Sequence, residues 1–100
     1  MPYLICYDIT GNNLRTRMGN KIMEEGLDRI NKSVYLGSIS KSSLKSLEQW
    51  LTNELTQKGE PQDSLIIMYV SAQQIQTMRI YGSNDLDKDE LSGDKSTLIL

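Results

Sequence analysis

The chain has 100 residues, enough for one domain with a short tail, and its 38% hydrophobic and 24% charged content is that of a globular chain rather than a disordered or fibrous one. With no histidine and a single cysteine, it excludes zinc fingers, Ser-His-Asp triads, Cys-His proteases and an internal disulfide. The net charge of −2 hides an asymmetry: residues 83–100 carry five acids and two lysines, whereas residues 12–45 carry seven bases and three acids. Any catalysis must then use carboxylates, hydroxyls, Lys or Arg, Cys6, or a metal held by oxygen.

Pro2 to Ile9 is predicted to be a strand, with Tyr3, Ile5 and Tyr7 on one face and Leu4, Cys6 and Asp8 on the other. Asp8 is its only charge and stands at its C-terminal end. Thr10 to Asn13 is turn chemistry, with Asn12 or Asn13 as helix cap. A helix is expected over about 13–25, from Leu14, Met18 and Ile22 at four-residue spacing, widened by Met23 and stopped by Gly26. Leu27 to Ser38 reads as one second strand, with Gly37 marking a bulge or its end. Leu44, Leu47, Leu51 and Leu55, flanked by Trp50, predict a second helix over 41–58, ended by Gly59 and Pro61. Ser64 to Ser71 is continuously apolar in its middle and is expected to be a central strand. A connection over 71–76, a fourth strand over Met78–Tyr81 and a short apolar run at 97–100 complete the chain.

Two strand–helix–strand units and a late hairpin fit an α+β ferredoxin-like sandwich of the βαββαβ type, with two helices on one face of an antiparallel sheet and a short C-terminal strand. The expected division is a domain at 1–82 and an acidic tail at 83–100, with a terminal strand at 97–100 able to pair with a sheet edge. An apolar sheet face left uncovered by the helices argues for a dimer. The longest apolar run, Leu65 to Val70, is six residues, short of the roughly 18 that cross a membrane. Met1 to Thr10 has no basic segment and meets Asp8 early, so no cleaved leader is expected.

From pattern alone, Asp8 is either a metal-binding carboxylate beside a phosphate or a polar strand end capping the turn at Gly11 and Asn12. Arg15 and Arg17, early in a helix, suit phosphate contact or a solvated face. Lys32 and Ser33 suit a phosphate contact on a strand or simple filling of the open face. The tyrosines are read as core or interface residues and Cys6 as an inert buried thiol.

Tyr3-Leu4-Ile5-Cys6-Tyr7-Asp8-Ile9-Thr10 resembles the opening strand of the CRISPR-associated Cas-two family, with Arg15 where that family places an arginine early in the first helix. Gly26 to Gly37, with its Ser-Val-Tyr, resembles the second strand region of the same family, and the resemblance covers about residues 1–82. It implies a ferredoxin-like homodimer in the cytoplasm, acting in spacer acquisition between two copies of the Cas-one integrase and lying along DNA. For some members it implies metal-dependent phosphodiester cleavage, an endoribonuclease or endonuclease activity. Asp8 is then the catalytic carboxylate and ligand of Mg2+ (or Mn2+), with duplex DNA or single-stranded RNA as substrate. The sequence departs from the family pattern at Gly11-Asn12-Asn13, which holds no second carboxylate, and at Asn31, where the family has glutamine. The alternatives are a toxin-like ribonuclease of similar fold and a non-catalytic oligomerisation module.

Overall fold

The computed structural model describes residues 1–82 together with Lys88 and Leu91. Seven elements follow one another: β1 (Pro2–Asp8), α1 (Asn12–Glu24), β2 (Asp28–Asn31), β3 (Val34–Ser38), α2 (Lys41–Lys58), β4 (Ser64–Tyr69) and α3 (Ala72–Thr77). The four strands form one antiparallel sheet in the order β2-β3-β1-β4. This order, with α1 and α2 against one face, is the ferredoxin-like arrangement.

Alternation along β1 decides which side is which. Ile5 and Tyr7 are buried with Leu14, Met18 and Ile22 of α1 and Leu44, Leu47 and Leu51 of α2. Each such side chain contributes about 1.5–3 kcal/mol by leaving water. Leu4, Cys6 and Asp8 take the opposite face. That face is not wholly bare: Leu36 and Leu4 pack there with Ile75 of α3 and Leu91. The capping box of α3, in which Ser71 and Gln74 satisfy each other's backbone N–H groups, holds its single turn and a half in place for this contact.

The expected elements are present with four differences. Residues 27–38 form two strands, not one, because the chain reverses at Lys32-Ser33 with Ser33 in the left-handed region at φ 57°. No glycine announces that turn, and the alternation runs unbroken through it. The irregularity in the ladder lies between Arg29 and Asn31 rather than at Gly37, which sits inside β3 with the Leu27 backbone close above it. Among the described residues β4 is an edge strand, not a central one. Its run is apolar on both sides because Leu65 and Ile67 pack under the helices, whereas Ile66 and Met68 remain 54% and 50% exposed on the open face. Met78–Tyr81 pairs with no described strand: Met78 joins the second apolar cluster and Tyr81 is exposed.

Two smaller expectations also shift. The cap of α1 is Gly11, without a side-chain hydrogen bond, and Asn12 accepts from the Arg15 guanidinium instead. Met23 lies outside the buried stripe. Gly26 does end α1, at φ 100°. The run at 97–100 lies outside the described residues, as does most of the 83–100 tail; Lys88 donates to the Met78 carbonyl at 2.5 Å. No helix among the described residues is long and apolar enough to cross a membrane.

Gly19 shows how tightly α1 seats on the sheet. The Tyr7 hydroxyl donates to the Arg15 carbonyl at 3.0 Å, so the Tyr35 hydroxyl, also 3.0 Å away, must donate to Tyr7. A Cβ on Gly19 would overlap the Tyr35 hydroxyl and stand 2.9 Å from that of Tyr7. Gly19→Ala gains about 1 kcal/mol of helix propensity, but overpacking costs roughly 1–3 kcal/mol. Because both phenols are bonded in place, the upper half of that cost applies, and we expect a net loss of about 1–2 kcal/mol, read as a melting temperature lowered by roughly 4–16 °C. The Tyr35→Phe background should relieve part of it; an unchanged melting temperature in Gly19→Ala would show the phenols free to move.

Candidate nucleic-acid interface at the end of β1

The site is built on the last turn of the ladder. Asp8 pairs with Ser64 of β4, and both residues are exposed. Among the described residues no hydrogen bond or ion pair engages the Asp8 carboxylate. Burial of Tyr7 forces this orientation, because successive residues of a strand point to opposite faces. The β2–β3 turn is drawn to the same end: the Tyr7 N–H donates to the Ser33 carbonyl at 3.1 Å. Lys32 is exposed in that turn, its own N–H taken by the Asn31 side chain at 2.8 Å. Arg15 lies one turn into α1, half-buried, on the helix that leaves the loop after Asp8.

Of the five expected residues, Lys32 and Ser33 stand in the turn bonded to β1 next to Asp8, and Arg15, whose guanidinium donates to the Asn12 side chain, stands on α1 against the sheet face opposite the Asp8 carboxylate. Arg17 does not join them. Its guanidinium binds the Glu54 carboxylate of α2 through Nε at 2.9 Å and through a terminal nitrogen at 2.5 Å, and lies 5.9 Å from the centre of the Trp50 ring. Lys58 reaches the same carboxylate oxygen at 3.4 Å, and Lys21 lies 5.7 Å from the Trp50 ring centre. Arg17 is thus a cation of the α1–α2 contact, its charge compensated by an acid.

Three side chains here escaped the sequence reading. Glu54 is buried, with only 7% of its surface exposed. Its spacing from Leu47 and Leu51 places it on the apolar stripe, and an acid there signals a buried partner. Arg29 stands exposed opposite Tyr35, and its positive charge acts on the Tyr7 phenol, whose pKa burial and the Tyr35 hydroxyl push well up. Asp63, in the turn before β4, accepts from Thr10 of the loop after β1. No group of three or more His, Cys, Asp and Glu stands together among the described residues, so no complete cation cage is built within them.

An exposed carboxylate at a strand end, cations on the neighbouring turn and helix, and a four-stranded sheet under two helices define a small ferredoxin-like α+β protein. The comparisons take this further. The family model described as CRISPR associated protein Cas2 matches residues 1–78. The chain belongs to that family. It is 35% identical over 54 residues to CRISPR-associated endoribonuclease Cas2 1 of Francisella tularensis subsp. novicida (strain U112), covering 54% of this chain and 56% of the relative. It is also 35% identical over 51 residues to CRISPR-associated endoribonuclease Cas2 2 of Pyrobaculum aerophilum, covering 51% of this chain and 56% of that one. The chain thus spans about half the length of the curated relatives it matches. The crystal structure of Streptococcus pyogenes Cas2 superposes with a TM-score of 0.70 at 18% identity, over 82% of this chain and all of that one, which establishes the shared fold.

The Glu54 pair carries a pH signature. The Arg17 guanidinium, followed by the Lys58 ammonium, holds the Glu54 carboxyl below its ordinary value of 4.5. A depressed folded value means that the stabilisation is complete above the unfolded pKa and lost as pH falls through the folded one. Glu54→Gln should therefore melt below the wild type at pH 7, with the gap closing below pH 4.5. Thermal melts from pH 7 to 2.5 check this; a gap of constant size would assign the loss to packing instead.

Proposed function

We propose that this chain is a phosphodiester-binding subunit of CRISPR spacer acquisition, a homodimer that lies along nucleic acid with the Cas1 integrase, and that Asp8 supports Mg2+-dependent endonuclease cleavage. The observation that carries the reading is the Asp8 carboxylate itself, exposed and unpaired among the described residues at the end of β1, with the Lys32–Ser33 turn and the start of α1 around it. The relatives' names make RNA the first substrate to try.

The donor set suits a cation of this kind. Mg2+ keeps several waters and binds through one or two carboxylates plus substrate oxygens, so a lone Asp8 fits, and a second Asp8 brought by a two-fold axis would complete the set. Bound there, Mg2+ supplies a water of lowered pKa as nucleophile. Asp8 anchors the ion, and Arg15 and Lys32 neutralise charge on the phosphate. Ser33 offers a hydroxyl beside them. Support for a second copy comes from the open sheet face, where Ile66 and Met68 are half exposed beside Cys6 and Leu4 of β1.

Labelled single-stranded RNA and duplex DNA, incubated with Mg2+ or EDTA, test the reading. The wild type should cut in Mg2+ alone, and Asp8→Asn should lose at least a hundredfold of that rate while remaining a dimer by light scattering. Equal cutting by both proteins would remove Asp8 from the mechanism. Affinity should also depend on salt: Arg15→Ala should weaken binding to every sequence alike and lower the slope of log affinity against log salt by about 0.7–0.9. Arg17→Ala should change that slope by less, since Glu54 already compensates its charge; equal losses would show Arg17 free to reach phosphate.

A further inference from the structure

The ladder between β1 and β4 ends at the pair Asp8 and Ser64. Terminal pairs of a sheet fray, because nothing beyond them holds the strands together. Here something does. One oxygen of the Asp63 carboxylate accepts the Thr10 N–H at 2.9 Å and the Thr10 hydroxyl at 2.8 Å. Its other oxygen accepts the Glu60 N–H at 2.8 Å, and the Gln62 amide donates to the Thr10 hydroxyl at 3.1 Å. The two loops that flank Asp8 and Ser64 are thereby tied together across 53 positions of sequence.

We infer that Asp63 is a positioning residue for Asp8: by clamping the loop after β1 to the turn before β4, it fixes where the Asp8 carboxylate stands. This inference rests on the reading of Asp8 given above. Asp63 is not itself a second ligand. Three donors already occupy its two oxygens, and the Glu60 N–H, then the Thr10 hydroxyl and N–H, hold its carboxyl below the ordinary carboxylate value, so it stays an acceptor. The charge and both oxygens are needed. An asparagine there would turn an NH2 group toward either the Glu60 N–H or the two Thr10 donors. The Thr10 hydroxyl is needed too, because it both donates to Asp63 and accepts from Gln62, which Ser preserves and Val does not.

The test uses the full chain and the variants Asp63→Asn, Thr10→Val and Thr10→Ser, each compared well below its own melting temperature. The first readout needs no activity: 15N order parameters of the Asp8 and Thr10 amides. In the wild type and Thr10→Ser these should lie near the rigid value of about 0.85, and in Asp63→Asn and Thr10→Val they should fall toward about 0.6. Amides of the α2 interior should not change. The second readout is steady-state cleavage of single-stranded RNA in Mg2+. Asp63→Asn and Thr10→Val should lose about tenfold in kcat with KM within twofold, and Thr10→Ser should cut at the wild-type rate. Unchanged order at Asp8 in Asp63→Asn overturns the clamp whatever the activity. Loosened order with an unchanged kcat, in a protein that Asp8→Asn inactivates, overturns the positioning role and leaves the nuclease reading standing. A wild type that does not cut sinks that reading, and loosening at Asp8 then still supports the clamp.

Discussion

The structure depends on one constraint: the phenol of Tyr7 must be buried and bonded. Its hydroxyl takes the Arg15 carbonyl as acceptor and the Tyr35 hydroxyl as donor, joining β1, α1 and β3 at a single oxygen. A side chain of that size fits under α1 only because Gly19 leaves the space. Once Tyr7 points inward, Asp8 must point outward, since neighbours on a strand alternate. An exposed carboxylate is thus placed by an enclosed hydrogen bond.

The helices are fixed to each other by a different kind of contact. Glu54 sits where a leucine would continue the apolar stripe of α2, and two cations from α1 and α2 converge on it. A buried carboxylate without partners costs several kcal/mol, so Glu54 is tolerated on the stripe because Arg17 and Lys58 meet it there. Trp50 beside Arg17 and Lys21 extends the same contact. Arg17 and Arg15 are two residues apart in the same helix yet serve opposite ends, one facing a neighbouring helix and the other the loop after Asp8.

Much of this was legible beforehand. β1, both long helices and the position of Asp8 follow from periodicity and turn chemistry in the sequence, because each has one buried face and one wet face. The family relation was readable from the Tyr-Asp-Ile-Thr and Ser-Val-Tyr segments. What could not be read had specific causes. The β2–β3 turn has no Gly or Pro to mark it, and a serine in the left-handed region leaves no signature of its own. β4 looked central because burial and an apolar open face write the same letters. Arg15 and Arg17 have the same residue type and helix turn, and although the family resemblance picks out Arg15, the partner that occupies Arg17, Glu54, lies 37 positions away. Asp63 was invisible for the same reason: its partner is distant in the chain.

The place of β1 in the sheet has a consequence for how the chain is made. β1 precedes the other three strands in the chain yet lies between β3 and β4, and its outer neighbour, Ser64–Tyr69, is the last of the described strands. The β2–β3 hairpin and the helices can form from local contacts as they emerge, but β1 keeps one edge open until residue 69 has left the ribosome. Long-range pairing of this sort slows folding and leaves an unpaired edge exposed meanwhile. Assembly of the Asp8 end therefore waits on distant chain: neither the neighbour of Asp8, Ser64, nor Asp63, which holds the loop after it, exists until more than 50 further residues have been translated.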